Sequence, residues 1–159
     1  MKPVATKLLL TLALAFATLV HGADASAETK AAASIPAIDL LEPEAFAKSL
    51  QPPSATRPLI LQVGFRTLYL QAHIPGSEYA GPTGQEPGLQ ILRERVAKLA
   101  KDTPIVIYCG CCPWSRCPNI AAAYDALHAL GFSHVKVLHI AEDFGANWVD
   151  KGYPVAKGD

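Results

Sequence analysis

Beyond residue 34 the apolar positions follow two alternating patterns: short continuous runs, and stretches where they recur every three or four residues. Short continuous runs rich in branched residues mark strands buried on both faces. They occupy residues 38–41, 59–63 (Leu-Ile-Leu-Gln-Val), 104–109 (Pro-Ile-Val-Ile-Tyr-Cys) and 135–138 (Val-Lys-Val-Leu). Helical spacing is clearest over 89–100, where Leu89, Leu92, Val96 and Leu99 share one face. An alanine-rich helix is expected over 118–130, stopped by Gly131. Glu42-Pro43-Glu44 opens a short helix over 43–50, with proline where its missing N–H costs nothing and acids near the positive dipole end. A short helical or turn segment over 65–71 and a closing helix over 142–150 complete the set. His73-Ile74-Pro75-Gly76 reads as a turn into a short strand near 77–79, and 51–57 as a proline-rich loop. Residues 81–88 carry three glycines and two prolines and are expected to form a surface loop. Strands alternating with helices through short connections predict a three-layer α/β/α domain around a mostly parallel sheet.

The first 34 residues break this rhythm. Lys2 and Lys7 precede an apolar run from Leu8 to Val20, interrupted by Thr11 and Thr18 and followed by overlapping Ala-x-Ala sites at Ala23, Ala25 and Ala27. A positive start, an apolar middle and a small-residue cleavage site describe a secretory signal peptide over 1–27. The run is shorter than the roughly 20 apolar residues a spanning helix needs. Residues 28–34 read as an alanine-rich linker, and 35–159 as one domain. The expected location is the periplasm, with no membrane association after the signal is removed.

Composition agrees with a globular chain: 50% of the 159 residues are hydrophobic and 18% charged. Removing residues 1–27 takes away Lys2, Lys7 and Asp24, leaving 12 basic and 13 acidic residues. That near-neutral balance, without a basic run, argues against nucleic acid or anionic membrane surfaces as partners. Oligomeric state is left open.

All four cysteines lie between positions 109 and 117. Disulfides that staple a fold are spread to close large loops, so cysteines bunched into nine residues belong to one site. Cys109 follows Ile105-Val106-Ile107-Tyr108 and precedes a helix beginning near Pro118, where open α/β sheets bind ligands. Loop amides and the helix dipole together favour negative charge there, and a thiolate so placed has a lowered pKa. Arg116 adds a fixed positive charge able to grip an oxyanion. Gly110 supplies backbone freedom and Pro113 stiffness. Trp114 either gates the site or folds back on the domain.

Ile105-Val106-Ile107-Tyr108-Cys109, then Ser115-Arg116, the segment Ile120 to Leu127 and Gly131 resemble the active-site stretch of rhodanese-like domains. Ala72-His73-Ile74-Pro75-Gly76-Ser77 is similar to that family's upstream Gly-His-Ile-Pro-Gly-Ala signature, and Trp148 with Lys151-Gly152-Tyr153-Pro154 to its closing motif. The resemblance spans about residues 35–157. It implies a sulfurtransferase in which a strand-end cysteine takes sulfane sulfur from a donor such as thiosulfate and passes it, as a persulfide, to a thiol acceptor. Two departures stand out. The family's Asp-Val-Arg after the second strand is Gln62-Val63-Gly64 here, with arginine at Arg66. The family's sulfurtransferase loop places four residues between cysteine and arginine, and that spacing holds from Cys111, whereas six residues separate Cys109 from Arg116. Strand register favours Cys109 as the nucleophile and arginine spacing favours Cys111. Rhodanese-fold phosphatases use a spacing of five, which no cysteine before Arg116 provides.

The catalytic candidates are therefore Cys109, Arg116 and Cys111, with Gly110, Cys112, Pro113, Trp114, Ser115 and Cys117 forming the substrate-binding loop. Cys111 or Cys112 is a candidate resolving thiol or second carrier. No cofactor or metal is assigned in this reading. The alternative is a non-enzymatic thiol-rich module holding a soft metal, Cu(I) or Zn(II), or a protein partner. A disulfide within the loop is a further option in an oxidising compartment. His73 is read as a hydrogen-bonded turn residue, Trp148 as core, and His128, His134 and His139 carry no role.

Overall fold

A computed structural model describes residues 35–51 and 57–159. The expected signal peptide, linker and most of the proline-rich loop at 51–57 lie outside the described residues. The elements run, after a 3-10 turn at Ala37–Asp39, β1 (Leu40–Leu41), α1 (Pro43–Ser49), β2 (Leu59–Gln62), α2 (Arg66–Gln71), β3 (Glu78–Tyr79) and α3 (Glu86–Val96). Then come β4 (Ile105–Tyr108), a 3-10 turn at Trp114–Arg116, α4 (Pro118–Ala129), β5 (Val135–Leu138) and a π-helical turn at Gly145–Val149. The five strands form one parallel sheet in the order β1-β5-β4-β2-β3.

Strand β4 is central, and all four of its residues are buried. Alternate residues of a strand face opposite sides, so the sheet feeds two cores. Leu61, Ile105, Ile107 and Val137 pack with Leu92 and Val96 of α3 and Ile120, Ala123 and Leu127 of α4. Ile60, Val106, Tyr108 and Leu138 pack on the other face with Phe46, Ala47, Phe144 and Trp148. The edge strands β1 and β3 are two residues each, which leaves little unpaired backbone for another chain to join.

The differences from expectation are local. The first strand shrinks to Leu40–Leu41 because Ala37–Asp39 coil into the preceding turn. Helix α3 starts at Glu86, three residues early, because Pro87 suits a first helical turn. Residues 81–88 are not a surface loop throughout: Gly81 and Gly88 are buried, and Thr83 is fully enclosed with its hydroxyl donating to the Asn119 carbonyl at 2.6 Å. A Cβ on Gly88 would lie 2.0 Å from the Pro82 carbonyl oxygen, so α3 sits directly on this segment. The closing helix is a single turn fixed by Trp148, fully buried with its indole N–H donating to the Pro154 carbonyl at 2.8 Å. Gly131 does end α4, at φ +87°.

The N-terminal strand is tied down by a polar knot. Asp39 accepts from Lys136 Nζ at 2.9 Å and from the Tyr124 hydroxyl at 2.7 Å. Lys136 first, then Tyr124, holds the Asp39 carboxyl below the ordinary carboxylate range. A carboxylate with a depressed folded pKa stabilises the fold above its unfolded value, and that contribution disappears as pH falls through the folded one. Because the pair is partly exposed, Asp39→Asn is expected to cost about 1 kcal/mol at neutral pH, measured as a shift in urea midpoint. The gap from wild type should close on acidification through the carboxylate range. A gap that is constant with pH would mean the charge contributes nothing.

Candidate active site

Strand β4 delivers Cys109 to the carboxyl end of the sheet, beside the end of β2. The chain then turns at Gly110, whose φ is +72°. The Gly110 carbonyl accepts the Phe144 N–H at 3.0 Å, which joins the loop to the closing segment. Cys111, Cys112 and Pro113 follow, half-buried, and Trp114–Arg116 form the 3-10 turn. Trp114 folds back: its N–H donates to the Ala141 carbonyl at 2.9 Å and its ring meets His139 edge-on at 4.8 Å. Cys117 is the N-cap of α4, with Pro118 in the first turn. The expected strand-loop-helix frame is thus present.

The sulfurs of Cys109, Cys111 and Cys117 all lie within 4.8 Å of one another. Cys109 Sγ is 3.1 Å from Cys111 Sγ, which is 3.3 Å from Cys112 Sγ. All four cysteines are free thiols. Cys109 and Cys117 are buried, and Cys111 is the partly open member of the cluster.

Cys117 is the most readily ionised thiol of the cluster. Thiol hydrogen bonds from Cys109 and then Cys111 lower its pKa to about 4, and the Ile120 amide adds to the effect. Cys109 is pushed up, first by its hydrogen bonds to Cys111 and Cys117 and then by burial. The lowered thiol expected at Cys109 is not found there. The residue at the helix N-terminus is Cys117, so that is where the dipole acts.

Three residues that sequence reading missed build the walls of this cluster. Asn119 Nδ2 donates to Cys109 Sγ at 3.5 Å and to Cys111 Sγ at 3.4 Å. Its Oδ1 accepts the Gly84 N–H at 2.7 Å, which requires the NH2 end to face the sulfurs. Gly64, at the end of β2, leaves the space that Cys109 occupies: a Cβ there would be 2.8 Å from Cys109 Sγ. Gln62, buried, accepts the Gly64 N–H at 3.2 Å. A polar Gln62 inside an apolar strand was the available signal.

Cys111 borders two cavities. One, of about 260 Å³, is also lined by Leu68, Ala72, Cys109, Phe144 and Val149, with Asp143 at its edge. The other, of about 180 Å³, is lined by Phe65, Pro82, Gly84, Cys112 and Asn119. Arg116 and Ser115 are exposed on the loop, and burial, then the hydrogen bond with Cys111, pushes the Cys112 thiol up, with the Arg116 charge only a minor opposing effect. The Trp114, Arg116 and Cys117 amides already donate to carbonyl oxygens, so the cradle expected from the loop backbone falls to its first half.

A rhodanese-like domain model matches residues 24–140. The chain belongs to the rhodanese-like domain family. The rhodanese-like domain of the Alr3790 protein from Anabaena sp. superposes with a TM-score of 0.57 at 22% identity, covering 75% of this chain and 79% of that one. The BH2092 protein from Bacillus halodurans gives a TM-score of 0.56 at 18% identity over 74% and 75%. Thiosulfate sulfurtransferase from Pseudomonas aeruginosa gives 0.53 at 21% identity over 75% of this chain and 20% of that longer one. At these identities the likeness carries the fold. No curated protein sequence is significantly similar to the chain.

The remaining rhodanese-like motifs are structural. His73 is buried, stacked on Tyr69 with centroids 4.0 Å apart, and its Nδ1 meets the Tyr69 carbonyl at 2.8 Å. The Ile74 N–H and the Ser77 hydroxyl reach Tyr108 Oη at 3.1 and 3.0 Å, pinning that turn to β4. Arg66 pairs with Asp159 and lies over the Tyr79 ring at 5.4 Å, not in the sulfur cluster.

Proposed function

We propose that this rhodanese-like domain is an exported sulfurtransferase that carries sulfane sulfur as a persulfide. The observation that supports it is the cluster of three sulfurs within 4.8 Å at the carboxyl end of the central strand, beside a cavity that reaches Cys109 and Cys111. Cys109 is the nucleophile in this reading; its thiol proton passes to solvent as the thiolate forms, and Asn119 Nδ2 donates to the sulfur. The Cys109 thiolate attacks the outer sulfur of thiosulfate, the sulfur–sulfur bond breaks, and sulfite leaves with the bonding pair. The Cys109 persulfide then has Asn119 Nδ2 as its donor. An acceptor thiolate attacks the terminal sulfur and returns Cys109 to its thiolate.

Intact-mass spectrometry of reduced protein after incubation with thiosulfate tests this. Wild type is expected to gain one sulfur, released by added thiol. Cys109→Ser is expected to gain none. An adduct formed in full by Cys109→Ser would move the nucleophile to Cys111, and a wild type that never loads would remove the activity.

A further inference from the structure

We propose that the Cys109, Cys111 and Cys117 sulfurs also form a binding site for one soft monovalent metal ion, of the Cu(I) class. The capacity does not depend on sulfur transfer and goes beyond it. A trigonal ion with metal–sulfur bonds of about 2.3 Å needs its three sulfurs roughly 4 Å apart. The three are within 4.8 Å of one another, with Cys109 and Cys111 at 3.1 Å. Closing on an ion therefore asks for shifts of about 1 Å or less at thiol ends, without rebuilding the loop.

Several features select the ion. Thiolates are soft ligands, which favours Cu(I), zinc and iron–sulfur clusters over hard cations. Structural zinc is almost always four-coordinate, commonly with cysteine–histidine sets. Here three sulfurs converge, the Cys112 sulfur is outside that set, and His139 is engaged with Trp114. A three-sulfur cluster suits an ion content with three ligands. Three thiolates around Cu(I) carry net negative charge, and Asn119 donates from one amide to both Cys109 and Cys111 at 3.5 and 3.4 Å. Such donors outside the ligand set commonly tune metal affinity. Gly64 keeps the space beside Cys109 open, and Cys111 gives the ion a way in from either cavity. Copper enters and stays as Cu(I): no electron is exchanged, and the thiol protons pass to solvent.

The test is anaerobic titration of the reduced protein with Cu(I) against bicinchoninate as a coloured competitor. One equivalent per chain should be withdrawn from the chelator, and X-ray absorption should report three sulfur neighbours. Cys112→Ser should compete as wild type does. Cys109→Ser, Cys111→Ser and Cys117→Ser should each lose competition while keeping a native circular dichroism spectrum, and Asn119→Ala should weaken binding roughly tenfold. If a cysteine variant unfolds, the sulfur count from wild type decides the matter. The site is overturned if wild type fails to compete, if absorption shows fewer than three sulfurs, if Cys112→Ser abolishes binding, or if equimolar Zn(II) displaces the copper. None of these readouts uses a sulfur donor, so a protein that binds copper and never loads sulfur overturns the sulfurtransferase reading alone.

Discussion

Gly110→Ala is expected to destabilise the domain by about 2–4 kcal/mol, enough to lower its urea midpoint well clear of wild type. Two separate effects combine. The residue sits at φ +72°, where a side chain costs roughly 1–2 kcal/mol. Its Cβ would also lie 2.6 Å from Phe144 Cβ and 2.9 Å from the Phe144 nitrogen. The nitrogen cannot retreat cheaply, because it donates to the Gly110 carbonyl at 3.0 Å and Phe144 packs in the core with Trp148. Gly131→Ala is the control: φ is +87° and nothing lies within 4 Å of its Cβ, so it should show the backbone cost alone, about 1–2 kcal/mol. If the two variants have the same midpoint, the clash with Phe144 is absent and the loop is not braced against the closing segment.

Gly64→Ala should have the opposite profile: little change in stability and a loss of sulfur loading of about a hundredfold. The added methyl would meet Cys109 Sγ at 2.8 Å, Gln62 Nε2 at 3.0 Å and Cys111 Cβ at 3.7 Å. Gly64 is not in the left-handed region, so the backbone accepts alanine. What must move is the sulfur, and a displacement approaching 1 Å at a reacting atom is worth about two orders of magnitude. The rate of persulfide formation from thiosulfate, beside a thermal melt, checks both halves. A variant that loads at the wild-type rate would show that the sulfur has room to spare. One that unfolds would make Gly64 a packing position instead.

The fold was largely legible because its strongest signals are local. The run Ile105–Tyr108 and the spacing of Leu92 and Val96 declare a buried strand and a one-faced helix whatever surrounds them. Boundaries were harder where chemistry outside the pattern decides them: Pro87 starts α3 early, and Trp148 needs only one turn to be held. The site was legible as a place but not as a circuit. Nine residues announced the loop, yet the sulfurs are held together by Cys117 at the helix N-terminus and by Asn119, whose orientation depends on a Gly84 amide 35 residues away. Gly64 entered the sequence argument as a missing arginine. Its role as a space is visible when β2 is laid beside β4.

Cys111 stands between two cavities, one bounded by Leu68, Phe144 and Val149 and the other by Phe65, Pro82 and Gly84. A carrier with a single mouth must discharge one molecule before admitting the next, and its turnover is a strict alternation. If the domain carries sulfur as proposed, a thiol that borders both cavities and lies 3.1 Å from Cys109 would free it from that order. In the proposed sulfur transfer, giver and receiver would then have separate doors, a passage rather than a revolving queue.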